Sequence, residues 1–327
     1  MGPCQETEVA AKGGGGTVKQ ILVVGASGFV GGHLARGLLA AGHGVRCVAR
    51  TPSKVAGLAD AGCAVVAGDM LDPAAMDRAV AGVDAVYVTV HTLSPQPGGG
   101  AGGDFMDVER AGLDNIVAAC RARGIRRLVY ITFLGMAPDA PGAWARGRWR
   151  VEQSLLTSGL DVTILRPAQI VGAGGHGFSM TVAQARRAIT PVLGNGRLRM
   201  RNIAVDDLVY YLVGVLDDPR SFGRCFDVGC DDVLTADQMI DVAAGVLGRR
   251  PPRKVHLPAG VLGALAPLIE RLAKLPRGAI RGLADGLSVD LDGDPAPIRA
   301  LLPRPPLSYR RAVERALGAE GPAPVGD

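Results

Sequence analysis

Three glycines, Gly25, Gly28 and Gly31, follow directly on the apolar run Ile21–Val24 and lead into a helical pattern over Phe29–Ala41. A strand, turn and helix in this order present backbone N–H groups and the positive end of a helix dipole to an anion. Gly25 and Gly28 allow a tight turn against a pyrophosphate, and Gly31 lets the helix lie close on the strand. The chemistry these residues serve is the binding of dinucleotide phosphates by Gly25, Ala26, Ser27, Gly28, Phe29, Val30 and Gly31.

The next apolar run ends in Val48-Ala49-Arg50, where a site for NAD carries an acid that holds the ribose hydroxyls. Here the position is Arg50, with Lys54 four residues on. A guanidinium forks onto phosphate oxygens, so NADP is expected in preference to NAD; the plainer alternative is a solvated arginine. After the third run, Gly68-Asp69-Met70 places a carboxylate where it could accept from an adenine amino group, with Met70 beside it. Asp72-Pro73 reads as a helix cap followed by proline in the first turn.

The elements that must position these residues alternate along the chain. Apolar runs at Ile21–Val24, Val45–Ala49, Ala64–Ala67, Ala85–Val90, Leu128–Ile131 and Val162–Leu165 are expected strands. Helical patterns lie between them at Phe29–Ala41, Pro73–Ala81, Phe105–Arg123 and Ala143–Ser158. This is the sequence form of an α/β doubly wound parallel sheet, the Rossmann arrangement, here of six strands. Thr92 to Gly103, rich in proline and glycine, is expected to loop from the sheet edge where ligands bind. Past Arg166-Pro167 the pattern loosens into Gly177–Ala188, Val205–Leu216, Arg224–Val228, Thr235–Leu247 and a proline-punctuated stretch from Pro251 to Ala316. The expected domains are a tail over 1–18, a dinucleotide domain over 19–170, a smaller C-terminal substrate lobe over 171–317 and a tail over 318–327.

Composition narrows the function classes. Hydrophobic residues are 48% and charged residues 20% of the 327, and the net charge of +5 comes from arginines in short separate groups. A nucleic-acid footprint would be denser and interleaved with aromatics. Six cysteines show no Cys-x-x-Cys pair and no zinc spacing, so reduced thiols, no metal and a cytoplasmic location are expected. No run of eighteen apolar residues occurs. The nearest, Leu257 to Leu275, is interrupted by Pro258, Pro267, Glu270, Arg271 and Lys274 and reads as a helical packing surface rather than a membrane span.

Taken together these residues resemble the extended and atypical short-chain dehydrogenase/reductases, a superfamily that includes NAD-dependent epimerase/dehydratases and NmrA-like proteins. The likeness covers almost all of residues 19 to 317. The glycine turn corresponds to the family's G-x-x-G-x-x-G and Asp69 to its adenine-side acid. Leu165-Arg166-Pro167 through Gly172 looks like the family's "LRP…G" run, which implies that Pro167 lies beside the nicotinamide. Asn202 to Leu208 and Arg224 to Gly229 look like its "I-x-V-x-D" and "F-D-V-G" segments.

The resemblance implies a catalytic Ser or Thr after the fifth strand and a Tyr-x-x-x-Lys on the next helix. Thr132 matches the hydroxyl; Trp144 falls at the tyrosine and Arg148 at the lysine. Indole does not titrate near neutral pH, so the usual acid/base is missing. Arg148 is expected to bond the nicotinamide ribose. His91, at the end of the fourth strand, is expected near the cofactor and with His176 is a candidate replacement acid. The expected function is an NADP(H)-dependent oxidoreductase or epimerase-type enzyme acting on an apolar small molecule, the alternative a non-catalytic NADP(H)-binding regulator or assembly partner.

Overall fold

The computed structural model describes residues 17–90, 105–272 and 289–319. His91 and the Thr92 to Gly103 loop lie outside the described residues. The central sheet is built from β1 (Gln20–Val24), β2 (Gly44–Ala49), β3 (Ala64–Ala67), β4 (Ala85–Val88), β5 (Arg127–Ile131), β6 (Asp161–Pro167) and β11 (Arg224–Val228). Its order is β11-β6-β5-β4-β1-β2-β3, and every pairing is parallel. The sheet therefore has seven strands where six were expected. The seventh comes from the stretch assigned to the substrate lobe: Arg224 pairs Thr163 and Val228 pairs Pro167.

Period-two alternation distributes continuous apolar strands between two cores. Ile21, Val23, Cys47 and Val129 face α1 (Phe29–Ala40) and α7 (Val205–Gly214) on one side. Leu22, Val24, Val86 and Tyr130 face α3 (Pro73–Val80), α4 (Phe105–Ala122) and α5 (Ala143–Leu156) on the other. A short helix, α2 (Ala56–Ala59), follows β2. Because α7 and β11 complete this layered body, the chain returns to the dinucleotide sheet after residue 170 instead of leaving it.

Local signals set the element ends. The Asp72 carboxylate accepts from the Ala74 amide at 2.9 Å, with Pro73 in the first turn of α3. Arg127, 6% exposed, is satisfied mainly by oxygens of the backbone, donating to the carbonyls of Val215, Leu216 and Asp161 and to the Thr163 hydroxyl. It ties the starts of β5 and β6 to the turn after α7 without an acid.

The remaining elements form the smaller lobe. They are α6 (His176–Ala185), α8 (Ala236–Val246), α9 (Ala259–Leu272), α10 (Ala296–Leu301) and α11 (Tyr309–Ala319) with three strand pairs. β7 (Ile170–Val171) pairs β10 (Ile203–Ala204), β9 (Arg199–Met200) pairs β12 (Leu234–Thr235), and β8 (Ile189–Leu193) pairs β13 (Arg253–Leu257). Phe178, Val182, Met239, Ile240 and Val313 centre its core; α10 packs instead against the central sheet. His176, expected in a loop, is the first residue of α6, where it is exposed. Among the described residues no helix is long and apolar enough to cross a membrane.

Candidate dinucleotide and substrate site

The glycine turn closes on itself between β1 and α1. Gly25 has φ +95°, a conformation side chains rarely adopt, and accepts the Gly28 amide at 2.9 Å. A Cβ at Gly31 would lie 2.2 Å from the Gly25 carbonyl oxygen and 2.7 Å from Thr89 Oγ1, so only glycine allows the helix this close. At Gly28 a Cβ would meet only the Gly25 oxygen, at 3.2 Å, and Gly28 itself is exposed. The turn thus needs glycine at 25 and 31 for its own packing, while at 28 it leaves an open cradle. The first-turn amides of Phe29, Val30 and Gly31 have no intrahelical acceptor, and no acid in that turn offsets the dipole. Ala26 is buried and Ser27 exposed on the rim.

Two contacts around the turn were not anticipated from the sequence. Thr89, just past β4, backs Gly25 and Gly31 and donates its hydroxyl to the Val24 carbonyl at 3.1 Å. Phe29 lies under the glycine loop after β7: a Cβ at Gly172 would come within 2.7 Å of its Cζ. The glycines at 172, 174 and 175 signalled a bend, but not which ring they had to clear.

The nucleoside-side candidates follow at the same sheet edge, in strand order β1-β2-β3. Arg50 and Lys54 are exposed just past β2. The half-buried Asp69 accepts the Leu71 amide on Oδ1 at 3.0 Å, and the Met70 carbonyl accepts from Asn115 Nδ2 at 3.0 Å. Met70 also packs over Gly112, where a Cβ would lie 2.0 Å from its Cε, so α4 locks this segment in place.

On the other side of β4, the chain leaving β5 opens a small apolar pocket of about 30 Å³. Phe133, Leu134, Met136, Trp144 and Leu291 are among its walls. The strand that leads into it, β5, is two strand spacings from β1, roughly 10 Å. Trp144 meets Phe133 edge to face, ring centroids 6.0 Å apart. Thr132 is 3% exposed, its amide bonded to the Leu165 carbonyl at 3.0 Å; Pro167 is buried and accepts the Leu134 amide at 3.0 Å. β6 thereby fixes the floor beneath the pocket.

Arg148, expected to bond the nicotinamide ribose, lies in the interior between α4 and α5. It is 0% exposed, donates Nη2 to Glu109 Oε2 at 2.8 Å and stacks its guanidinium 5.3 Å over the Trp144 ring. Tyr130 donates to the other Glu109 oxygen. Burial pushes the Tyr130 phenol well above its usual range, opposed by Arg148 and reinforced by the Glu109 and Glu152 carboxylates. One turn on, Glu152 is held by a forked pair with Arg166; burial pushes its carboxyl up and Arg166 opposes this. A signal for Glu109 did exist: with Leu113, Ile116 and Cys120 it falls at i, i+4, i+7 and i+11, an acid on the apolar stripe of α4. His91 lies outside the described residues, and His176 is exposed at the start of α6.

A strand-turn-helix anion cradle at the carboxyl edge of a seven-stranded parallel sheet defines a dinucleotide-binding α/β protein. Residues 25–219 match the family described as NAD(P)H-binding, and the chain belongs to that family. It is 32% identical over 255 residues to a 2-alkyl-3-oxoalkanoate reductase of Stenotrophomonas maltophilia, covering 70% of this chain and 76% of the relative. It is 30% identical over 237 residues to an NAD(P)H azoreductase of Xenophilus azovorans, covering 72% and 77%. A crystal structure of an NADPH-dependent quinone oxidoreductase from Escherichia coli, complexed with NADPH, superposes with a TM-score of 0.70 at 20% identity over 91% of this chain and 99% of that one. The likeness to it is one of fold.

Proposed function

We propose that the protein is a cytoplasmic NADP(H)-dependent reductase that acts on an apolar small molecule bound between Phe133, Trp144 and Leu291. The observation that carries this reading is the apolar pocket, two strands from the glycine cradle on the same sheet edge. Gly25, Gly28, Gly31 and the first turn of α1 would hold the pyrophosphate, Arg50 and Lys54 the extra phosphate, and Asp69 with Met70 the adenine side. The bound nicotinamide supplies a hydride. The chain's own contribution is to bind the substrate, exclude water with aromatic and aliphatic walls, and offer Thr132 at the end of β5. The relatives named as reductases support the reaction type.

In this reading Trp144 shapes the pocket and transfers no proton. Trp144→Phe should change substrate KM while the pH dependence of kcat stays where it is in the parent; a pKa lost from the profile would contradict it. The cofactor preference rests on Arg50. Arg50→Ala should weaken NADPH by about 1.5–3 kcal/mol, the value of a charge-assisted hydrogen bond, and leave NADH unchanged in calorimetric titration. Equal weakening of both would reject the assignment. The missing titratable pair favours a second reading, a non-catalytic NADP(H)-binding regulator. Stopped-flow NADPH oxidation over apolar ketones, aldehydes, enones and quinones separates the two: turnover supports the reductase, its absence on every compound the regulator.

A further inference from the structure

The strand pair β8/β13 turns an apolar face outward. Ile189 lies opposite Arg253, Pro191 opposite Val255 and Leu193 opposite Leu257. Period-two alternation puts the five apolar residues of these pairs on one face. The intervening Thr190 and Val192 are 0% and 2% exposed, whereas Ile189 is 58%, Val255 46% and Leu257 40% exposed. The chain then enters α9, where Val261 and Leu265, one turn apart, are 50% and 48% exposed while Ala266 and Glu270 are buried. Expected from its sequence to be a packing surface, this stretch keeps part of its apolar stripe in the open. Single exposed aliphatics are ordinary; this concentration on one strand pair and the helix after it marks an interaction surface.

Parallel pairing also brings both strand starts to one end. Arg186 and Arg187 precede β8, Arg249 and Arg250 precede β13, and Arg253 opens it; all five are exposed. Arg249 Nη1 donates to the Arg186 carbonyl at 2.9 Å, and the Arg253 amide to that of Ala188 at 2.9 Å, which gathers them at one edge. Elsewhere on the surface Arg123 pairs with Asp77, Arg126 with Asp161 and Arg199 with Asp292, but none of these five has an acid partner among the described residues. The acids nearest β13 are already engaged, Asp241 by Lys254 and Asp237 by His256.

We propose that this face docks on an anionic lipid bilayer, its aliphatic side chains entering the headgroup boundary and its arginines meeting lipid phosphates. An aliphatic plane with an uncompensated cationic edge is the complement of such a surface. The proposal stands independently of the reductase reading.

Co-sedimentation of the full chain with phosphatidylcholine vesicles, with and without phosphatidylglycerol, tests it. The expected result is binding to the anionic vesicles only, weakened by salt. Arg249→Gln with Arg250→Gln should lower the partition coefficient about five-fold per arginine. Val255→Asp with Leu257→Asp should abolish binding while Tm and NADPH affinity stay at parental values, and Val18→Asp, at another exposed apolar position, should change nothing. Failure of the parent to bind anionic vesicles, or binding unaltered in both sets of variants, overturns the proposal. So does a concentration-dependent dimer that ignores vesicles and is dissolved by Val255→Asp, which would assign the face to a second copy.

Discussion

Gly28→Val should abolish NADPH binding and leave the chain folded. At φ −84°, Gly28 adopts a backbone conformation open to any residue, and its Cβ would meet only the Gly25 oxygen, at 3.2 Å. Valine at a helix cap costs about 1 kcal/mol, a Tm decrease of a few degrees in a chain of this size. The same side chain fills the space in front of the first-turn amides. Loss of two amide-to-phosphate hydrogen bonds, each about 1.5–3 kcal/mol, lowers affinity by roughly 100-fold or more. Gly31→Ala is the contrasting variant. Its Cβ would sit 2.2 Å from the Gly25 oxygen, so the fold should suffer together with binding. Calorimetry and thermal melts on both variants separate a cradle from a packing glycine. Parental NADPH affinity in Gly28→Val would remove the phosphates from this turn.

The second large effect is expected at the Glu109–Arg148 pair. Both side chains are essentially without solvent contact, at 1% and 0% exposure, and Tyr130 shares the carboxylate. Removing one member of such a pair leaves an uncompensated buried charge, a loss of about 3–5 kcal/mol. Glu109→Ala should therefore lower Tm by roughly 10 °C. The double variant Glu109→Leu with Arg148→Met, apolar on both sides, should recover most of that loss. The comparison also decides between two roles for Arg148. As an internal strut between α4 and α5, it leaves the NADPH affinity of the refolded double variant intact. As a ribose ligand, it would leave stability restored and affinity reduced.

The legible part of this protein was the part written in local pattern. Apolar runs of β length alternating with helical stripes marked β1 to β6 within one or two residues, and the glycine spacing marked the turn, because both depend on neighbours in sequence. The seventh strand, Arg224–Val228, lies in the stretch expected to form the substrate lobe, yet it pairs with β6 in the central sheet. Its partner Thr163 lies 61 positions upstream, a pairing that periodicity does not encode. Arg148 shows the same limit on the candidate site. Alignment with a family lysine places it at the cofactor, but its ion pair with Glu109, which comes from another helix, is not encoded in that alignment. Thr89 behind the turn and Phe29 beneath Gly172 are equally long-range contacts. The walls of the apolar pocket come from the chain after β5, from α5 and from the chain at Val289 and Leu291, segments that only the folded chain assembles.

The measurement closest to the central claim follows hydride transfer itself. NADPH carrying deuterium at both nicotinamide C4 positions is incubated with the parent protein and each ketone, aldehyde and enone of the panel, and the products are weighed by mass spectrometry. The account predicts deuterium in the product at carbon, stoichiometric with NADPH oxidised, absent in Gly28→Val and retained in Trp144→Phe. Unlabelled product, or no product from any compound with NADPH demonstrably bound, would contradict it.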